Sequence, residues 1–566
     1  MLVFFIDEYL QCGIVEEVND DHPVALVRFL PHHPVIKSNG DNYKVRIVFD
    51  ASSKDENGTS LNDIMTAGPK MTPDIGQILI RFRMHKFAII ADIEKAFLQL
   101  NLNESQKDLT SFFWFNKNGD IIVLRFNRVL FGAKASPFLL NASIKYLLEM
   151  NPENNPETKS LLSRNMYVDD IVTSIDDETQ CIEFKRETID IMKSIGMNVR
   201  HWCSNLEKVN DDESKSDVLY VLGMSWNVEK DIICSNIKMD LELNVKSKRD
   251  FLKWIASVWD PLGIMCSFSL KTKIMMRELW SRNIGWDEAV PQDIINEWSD
   301  LLKKINEMEP VVIPRYFNIT KHSSIEIHGF GDASQFGIGS VVYLKVEHSS
   351  SISTSFVLAR AKLIPAKKQS IPRLELLAAV HTAKLVSYVQ SSLQIVCKLI
   401  CWSNSKVALF WINSNANKWK QFIANRVKSI HSHVPPENWR FIKGIENPAD
   451  AISRAMPTVG FIYPPSILTS TYSEEKIDIN SEDVINERKL VIQHASVVEQ
   501  LFDISKFNSY SFILSVTAWI FRFVNCSRNL QQCNKQCLSG KDTQSICKLW
   551  KGRNDSLRAF WLIWKR

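Results

Sequence analysis

The sequence lacks a strong excess of charge, a clear metal-binding cysteine motif and a long hydrophobic run. Its 566 residues carry a net charge of only +4, so nucleic-acid binding would depend on local basic surfaces rather than on the average charge. The eleven cysteines are scattered, and the one cluster has no histidine and no usual zinc spacing. That cluster is Cys526, Cys533, Cys537 and Cys547. Incidental cysteines explain it better than a metal site does.

The most apolar stretch also falls short of a membrane span. Residues 511–524 contain Arg522 and are shorter than the roughly 20 residues that a bilayer needs. The N terminus has Asp7 and Glu8 after a short apolar run and no basic start, which is not the pattern of a secretory signal. We therefore expect an intracellular protein with reduced thiols and no membrane partner.

Other features are those of an ordinary globular protein. Apolar residues make up 45% of the chain and charged residues 23%, values that predict folded domains with real cores. A chain of this length is long enough for about three or four domains.

Two adjacent carboxylates, Asp169 and Asp170, lie between two apolar runs within residues 166–172. The runs predict two buried strands, with the carboxylates at or near the turn between them. Neighbouring carboxylates repel unless a cation separates them, and a divalent cation is the usual solution. Taken alone, the pair could also be two aspartates in a solvated turn.

A third carboxylate, Asp92, ends another apolar run at residues 87–91. This run predicts a further buried strand with the acid at its C-terminal end. Three carboxylates on neighbouring strands can hold two Mg²⁺ ions on a triphosphate and a primer 3′ oxygen, as in two-metal phosphoryl transfer. The third acid therefore favours the catalytic reading.

Residues 44–50 alternate enough to predict a strand with Lys44 and Arg46 on one face. Two cations on a strand could bind a triphosphate. They could equally be the solvated face of an edge strand.

Five blocks in one order resemble the reverse transcriptase of BEL/Pao-type LTR retrotransposons. They are residues 46–52 (RIVFDAS), 60–63 (SLND), 91–97 (ADIEKAF), 130–138 (LFGAKASPF) and 167–170 (YVDD). The resemblance implies fingers and palm subdomains with Asp92, Asp169 and Asp170 as the catalytic, metal-binding carboxylates. It also implies Mg²⁺ as cofactor, with dNTPs and an RNA or DNA template-primer as partners.

The same resemblance implies the residues that bind substrate. They are Arg46, Lys44, Phe97, Gly132, Lys134, Ser136, Pro137 and Tyr167. Arg46 would contact the triphosphate, with Lys44 as a weaker candidate. Phe97 would lie under the sugar, where a ring leaves no room for a 2′ hydroxyl, although it could also be a core residue. Residues 132–137 would form the turn that positions nucleotide and template.

A helical pattern begins near Lys246 and ends before Pro261 and Gly263. A second helix is predicted at about residues 269–282. The cations at 246, 248, 249 and 253 could contact phosphates or simply solvate the helix start. The motif Ala-Ser-x-x-Asp-Pro-Leu-Gly at residues 256–263 resembles the connection between polymerase and nuclease in the same family.

The second half of the chain resembles the ribonuclease H of the same retrotransposons. Strands are predicted at residues 325–334, 337–344 and 356–363, and a long helix starts at residue 370. Residues 399–405 are predicted to form another strand that enters a helix. The resemblance implies a mixed sheet flanked by helices, with Asp332, Glu375 and Asp450 as metal ligands. Asp332 or Glu375, taken singly, could be an ordinary surface acid.

One acid of that pattern is missing. Where the family has Trp-x-Asp-Ser, this chain has Trp402-Ser403-Asn404-Ser405. An amide keeps the shape of a carboxylate but loses its charge, so it binds Mg²⁺ less well and cannot take a proton. We therefore predict an impaired nuclease beside an intact polymerase site.

Together these patterns predict an α/β and α+β multidomain protein. The expected parts are reverse transcriptase fingers and palm at 1–230, a helical connection at 231–320, a ribonuclease H-like domain at 321–456, and a linker with a divergent helical tail at 457–566. The expected function is RNA-directed DNA polymerase, in the cytoplasm or in retrotransposon particles. The alternative is a non-catalytic transposon relic that at most binds nucleic acid. The sequence does not fix the oligomeric state.

Overall fold

The computed structural model describes residues 2–18, 27–39, 42–150, 155–211, 218–235, 245–469, 487–488 and 518. The side chains of residues 2–4, 37–39 and 42–44 fall outside that description. The chain divides into two compact units, Met1–Lys489 and Leu490–Arg566. The cysteine cluster and most of the expected tail lie outside the described residues, so the account below concerns the first unit.

The N-terminal part carries two groups of strands. Its elements are α1 (Leu2–Gln11), β1 (Val15–Glu17), β2 (His32–Asn39), β3 (Asn42–Phe49), α2 (Leu61–Ile64), α3 (Ile75–Phe82), β4 (Phe87–Ile93), α4 (Glu104–Lys107), β5 (Ser111–Phe115) and β6 (Ile121–Phe126). β2 and β3 form an antiparallel ribbon, and β1, β6 and β5 form a small sheet. Phe49 at the base of the ribbon packs edge-to-face on Phe112 and Phe126 of the sheet. This aromatic core fixes the base of the ribbon that carries Arg46.

The next part completes a four-stranded antiparallel sheet in the order β7-β8-β4-β9. Its elements are α5 (Ser136–Met150), α6 (Pro156–Asn165), β7 (Met166–Tyr167), β8 (Asp170–Ile175), α7 (Glu178–Lys193) and β9 (Val199–Ser204). Alternate residues of a strand point to opposite faces. In β4, Phe87, Ile89 and Ala91 belong to one core and Ala88 to another. Both faces of β4 are therefore covered, which explains its unbroken apolar run.

The connection shares a sheet with the preceding part of the chain. β10 (Val218–Val221), β11 (Met224–Asn227) and β12 (Ile232–Ser235) are joined by β13 (Val311–Pro314), and the helices between are α8 (Lys248–Ser257), α9 (Cys266–Ser281) and α10 (Gln292–Glu307). The two helices predicted here are confirmed. α8 begins with a capping box in which Ser247 and Asp250 satisfy each other's backbone N–H groups.

A buried arginine fixes the connection onto the end of α3. Arg315 is fully buried and donates hydrogen bonds to the carbonyls of Phe82, His85 and Lys86 at 2.6–2.8 Å. Its guanidinium also pairs with Asp231 at 2.5 and 2.8 Å. The Phe82 carbonyl is at the C-terminal end of α3, where a cation is favourable, and the other two lie in the segment that follows the helix.

Both sequence interpretations of Lys248 are wrong. Lys248 is only 2% exposed, and its Nζ donates to the Ile284 carbonyl at 3.0 Å and lies 3.3 Å from the ring centre of Trp280. It is therefore neither a phosphate contact nor a solvated charge. Arg249 remains exposed but forms a two-point ion pair with Asp287.

The second half of the described chain forms the expected mixed sheet with flanking helices. Its elements are β14 (Ser324–Ala333), β15 (Gly337–Glu347), β16 (Ile352–Leu363), α11 (Ile371–Leu393), β17 (Lys398–Ser403), α12 (Lys406–Ile412), α13 (Gln421–His431), β18 (Trp439–Phe441) and α14 (Ala449–Ser453). The sheet order is β16-β15-β14-β17-β18. β16, β15 and β14 are antiparallel, whereas β17 runs parallel to both β14 and β18.

The two halves of this unit pack directly through α3 and α11. The Tyr388 hydroxyl on α11 donates a hydrogen bond to Asp74, which caps α3. A Cβ at Gly76 would lie 2.6 Å from that hydroxyl, so glycine permits the close approach. One hydrophobic core extends from α3 through the connection into the mixed sheet. No helix among the described residues is long and apolar enough to cross a membrane.

Candidate active site

The palm sheet brings the three predicted carboxylates together. Asp92 near the end of β4 lies directly opposite Asp170 at the start of β8, and such antiparallel partners have Cβ atoms about 5 Å apart. Asp169 lies in the two-residue turn between β7 and β8, and its carbonyl accepts the N–H of Ile93 at 3.0 Å. Val168 in this turn has φ +58°, a strained value for a β-branched residue. The turn is therefore held by its surroundings and projects both aspartates beside Asp92.

Burial and neighbouring charge raise the pKa values of two of these acids. Burial, and then the charges of Asp169 and Asp92, raise the pKa of Asp170 to about 6. Burial also raises the pKa of Asp169, with a further contribution from Asp92. His201 on β9 approaches Asp92 at 3.8 Å between Nδ1 and Oδ1. The anionic forms would gain from a bound cation, which is the chemistry of a divalent-metal site.

The carboxylates alone do not form a closed metal cage. In the described part of the chain, no group of three or more His, Cys, Asp or Glu side chains is arranged to hold a metal ion by itself. Magnesium commonly takes only one or two protein carboxylates and fills its octahedron with water and substrate phosphate oxygens. The donor set of Asp92, Asp169 and Asp170 fits that requirement.

The residues expected to bind the triphosphate lie on the ribbon. Arg46 is exposed on β3 and is paired with Val35 of β2. The side chain of Lys44 lies outside the described residues, although its backbone belongs to β3. The triphosphate role of Arg46 and Lys44 stays a prediction.

Phe97 lies in a short 3-10 helix, Ala96–Gln99, directly after β4. It is 8% exposed and belongs to the palm core. Its ring contacts Phe131 edge-to-face, with centres 4.8 Å apart, and Phe131 itself is about half exposed. Phe97 is thus a core residue by burial, and its role as a sugar gate remains a prediction.

The turn at residues 132–137 is shaped by contacts with the segment before α3. Gly132 has φ +92°, and a Cβ there would lie 3.1 Å from the Phe49 carbonyl, so this position requires glycine. Lys134 and Pro137 are exposed, and Pro137 lies in the first turn of α5. The buried Ser136 hydroxyl donates to the Leu130 carbonyl at 2.8 Å. Ser136 therefore shapes the turn from inside.

Asn62 belongs to the block at residues 60–63, but the sequence analysis assigned it no role in this site. Its Nδ2 donates to the Gly132 carbonyl at 3.2 Å and to the Ser52 hydroxyl at 2.8 Å. Its Oδ1 accepts the N–H of Lys134 at 2.7 Å. Only the fold shows that the Asn62 amide links this block to the turn at Gly132 and Lys134.

Tyr167 is half buried and lies on β7, two residues before Asp169. It lines a cavity of about 330 Å³ at the junction of the palm, the connection and the second half of the chain. Lys70, Trp259 and Arg360 also line this cavity.

The second predicted acidic site also assembles. Asp332 lies next to the end of β14 and Asn404 follows β17, its parallel neighbour, while Glu375 is the fifth residue of α11, just past its first turn. The Asn404 amide donates to Asp332 Oδ1 at 2.8 Å, and the Ser453 hydroxyl donates to Oδ2 at 2.5 Å. Both oxygens of Asp332 are therefore engaged by neutral donors. Ser453 is a further site residue that the motifs did not predict.

Burial dominates the electrostatics of this second site. Glu375 is 7% exposed, and burial, followed by the charge of Asp332, raises its pKa to about 9. Burial also raises the pKa of Asp332, against its hydrogen bond from Ser453. Asp450 lies on α14 and pairs with Arg454 at 2.7 Å. These acids are mutually repelling donors of the type that suits a hard cation.

Close packing holds α14 against the sheet. A Cβ at Gly339 on β15 would lie 2.7 Å from the Ala449 carbonyl. The Asn447 side chain, just before α14, donates to the Gly331 carbonyl at 3.0 Å. These contacts bring Asp450 and Ser453 to the end of β14.

The fold is that of the reverse transcriptases. Residues 52–209 match the family model of reverse transcriptase (RNA-dependent DNA polymerase). Residues 247–405 match the Pao retrotransposon-like RNaseH-like domain. The chain thus combines these two domains, and its resemblance to a BEL/Pao-type retrotransposon polyprotein is confirmed. No curated protein matches it.

Solved structures with a similar fold include a foamy viral protease-reverse transcriptase. The form of that protein described as dRH, in complex with double-stranded DNA, is 14% identical, with 78% of this chain and 69% of that chain covered and a TM-score of 0.51. The complex with an RNA/DNA hybrid is also 14% identical, with 84% and 56% covered and a TM-score of 0.47. At this identity the first likeness shows the fold alone.

Proposed function

We propose that this chain is an RNA-directed DNA polymerase that adds dNTPs to a primer on an RNA or DNA template. The observation that carries the proposal is the register of the palm sheet. It sets Asp92 opposite Asp170 and places Asp169 in the adjoining turn. The raised pKa values of Asp169 and Asp170 mark a cluster whose ionised form needs a cation.

Asp92, Asp169 and Asp170 would hold Mg²⁺ together with substrate phosphate oxygens. When bound, Mg²⁺ supplies neutralisation of the triphosphate and activation of the primer 3′ oxygen. Arg46 and Lys44 would bind the triphosphate from the ribbon. The turn with Gly132, Lys134, Ser136 and Pro137 would position the nucleotide and template, and Tyr167 would support the catalytic turn.

Phe97 would select deoxynucleotides indirectly. Its buried ring supports the half-exposed Phe131, so the two rings together would limit the space next to the sugar. A hydroxyl at C2′ would then be excluded by contact with an aromatic surface.

The ribonuclease H-like site would be impaired. Asn404 occupies the place of an acid and satisfies Asp332 with its amide, a position where a metal ion would otherwise neutralise that carboxylate. Asp332, Glu375 and Asp450 would still offer oxygen ligands. Among the described residues, Glu375 Oε2 and Asn404 Oδ1 are buried without a hydrogen-bond partner and could face a cation. The amide of Asn404 brings no negative charge, so the site would hold that cation only weakly.

The proposed boundaries follow the sequence expectations, with fingers and palm at 1–230, the connection at 231–320 and the ribonuclease H-like domain at 321–456. Residues 457–566 would be a linker and tail. We place the activity in the cytoplasm or in retrotransposon particles. Fractionation of cells that express the chain tests that placement.

Primer extension on a homopolymeric RNA template with Mg²⁺ tests the polymerase directly. Asp169→Asn removes a central carboxylate charge, whereas Asp190→Asn changes an exposed aspartate on α7 and serves as the matched control. Extension by the wild type and Asp190→Asn but not by Asp169→Asn supports the proposal. Folded wild-type protein that extends no primer would indicate the non-catalytic relic.

A further inference from the structure

The hairpin of β10 and β11 turns through a strained pair of residues. Val221 pairs with Met224, so Leu222 and Gly223 form a two-residue turn. Their φ values are +48° and +85°. This geometry suits hairpins, but a left-handed leucine is unfavourable by itself. The turn therefore needs support from outside the hairpin.

Trp259 supplies that support. Its indole N–H donates to the Leu222 carbonyl at 2.9 Å. Its ring covers Gly223 so closely that a Cβ there would lie 2.5 Å from the indole nitrogen. Trp259 is nevertheless 54% exposed. Its position is thus explained by contact with the turn rather than by burial in a core.

The loop that carries Trp259 is fastened to the ribonuclease H-like domain. The Ala359 N–H on β16 donates to the Leu262 carbonyl at 2.9 Å, and the Arg360 guanidinium donates to the Pro261 carbonyl at 2.8 Å. A Cβ at Gly263 would lie 1.8 Å from the Ala359 carbonyl, so the loop packs directly on the strand.

The loop is also rigid within itself. The Asp260 carboxylate accepts the N–H groups of Ile264 and Met265, each at 2.8 Å. Asp260 therefore closes the turn that leads into α9. Strand β16, this loop and the tip of the β10–β11 hairpin form one continuous set of contacts.

The same loop forms a wall of the cavity next to the catalytic turn. Trp259, Arg360 and Lys70 line it together with Tyr167, which precedes Asp169 by two residues. Aromatic faces beside cations suit the bases and phosphates of a nucleic-acid strand. Because Tyr167 is only two residues from Asp169, a primer strand bound in this cavity would lie next to the catalytic turn.

We propose that Trp259 is a positioning residue through which the ribonuclease H-like domain holds the Leu222–Gly223 turn against the primer strand. The domain thereby serves the polymerase whether or not its own acidic site cleaves. This inference rests on the proposed polymerase function. It is tested by binding as well as by catalysis, so that the two can fail separately.

Trp259→Phe keeps the ring and removes the donor. Trp280→Phe is the matched control, because Trp280 is 53% exposed and also lies in the connection. Loss of one hydrogen bond predicts roughly a 2- to 10-fold rise in the Kd for a labelled RNA/DNA template-primer, and a similar rise in its KM. The KM for dNTP and the midpoint of thermal unfolding should stay at their wild-type values. A purely structural role would lower the unfolding midpoint instead.

Gly223→Ala gives a second, independent perturbation, since its methyl group would displace the indole ring. It should weaken template-primer binding in the same direction as Trp259→Phe. Equal Kd values for Trp259→Phe, Trp280→Phe and wild type would overturn the inference. A wild type that binds template-primer but extends none would overturn the proposed function while the comparison of Kd values still decides the role of Trp259.

Discussion

Asn404→Asp restores the missing acid of the ribonuclease H-like site. We expect the stability of the variant to depend on a bound metal ion. In the wild type the Asn404 amide donates to Asp332 at 2.8 Å. The substitution replaces a donor with an acceptor, and it places a new carboxylate beside the buried carboxyl groups of Asp332 and Glu375. The variant should therefore be destabilised without a metal and largely recovered with one.

The magnitude follows from the lost contact. A hydrogen bond to a charged group contributes about 1.5–3 kcal/mol, and uncompensated like charge in a buried site adds to that loss. A cooperative unit of the size of this domain loses roughly 2–4 °C of its unfolding midpoint per kcal/mol. The expected decrease in EDTA is thus about 5–10 °C.

Thermal unfolding in EDTA and in excess Mg²⁺ measures both effects. Asn417→Asp, an exposed asparagine in the short helix after α12, is the control for adding one negative charge to the same domain. Wild type and control should show little response to Mg²⁺. An Asn404→Asp variant that is as stable as wild type in EDTA and gains nothing from Mg²⁺ would refute the reasoning. So would cleavage of an RNA/DNA hybrid by wild type at the rate of the variant.

Three further predictions concern single residues. The pKa of Glu375 is raised from 4.5 to about 9, so its contribution to stability is full below pH 4.5 and is lost as the pH rises towards 9. Glu375→Gln in EDTA should therefore gain stability relative to wild type between pH 5 and pH 8, by up to about 1.4 kcal/mol per pH unit, and denaturant midpoints at both pH values check this. Asn62→Ala should raise the KM for dNTP about 10-fold, because the turn at Gly132 and Lys134 loses its link; an unchanged KM would exclude that role. Phe97→Val should narrow the preference for dNTP over rNTP by at least about 10-fold, as measured by the ratio of kcat/KM values; an unchanged ratio would leave Phe97 as core only.

Local patterns were sufficient for the elements that carry the acids. The apolar run before Asp92 predicted a buried strand, and β4 is covered on both faces. The pattern at Asp169 and Asp170 predicted two strands and a turn, which are β7 and β8. These predictions succeed because strand burial and turn formation depend on residues that are adjacent in the sequence.

Contacts between distant segments could not be predicted in the same way. Asn62 reaches Gly132 across 70 positions, and Ser453 reaches Asp332 across 121. No periodicity encodes such pairs, since they depend on how whole elements pack. The wrong predictions for Lys248 have the same cause, because its charge is buried by Trp280, which comes from the next helix.

The contact of Trp259 with the β10–β11 hairpin also links the two domains in a way that the family resemblance did not predict. A nuclease site with Asn404 in place of an acid would contribute little catalysis. The strand β16 next to it nevertheless holds the loop that supports Leu222. The proposed role of Trp259 would give retention of the domain a physical reason that is independent of cleavage.

The most direct test of the central claim is the rate at which one dNTP is added to a primer on an RNA template as Mg²⁺ is titrated. The account predicts Mg²⁺-dependent addition by wild type and Asp190→Asn. It predicts at least about a 100-fold slower addition by Asp170→Asn, since loss of one carboxylate weakens metal stabilisation worth several kcal/mol. Addition that is independent of Mg²⁺, or equal in wild type and Asp170→Asn, would contradict it.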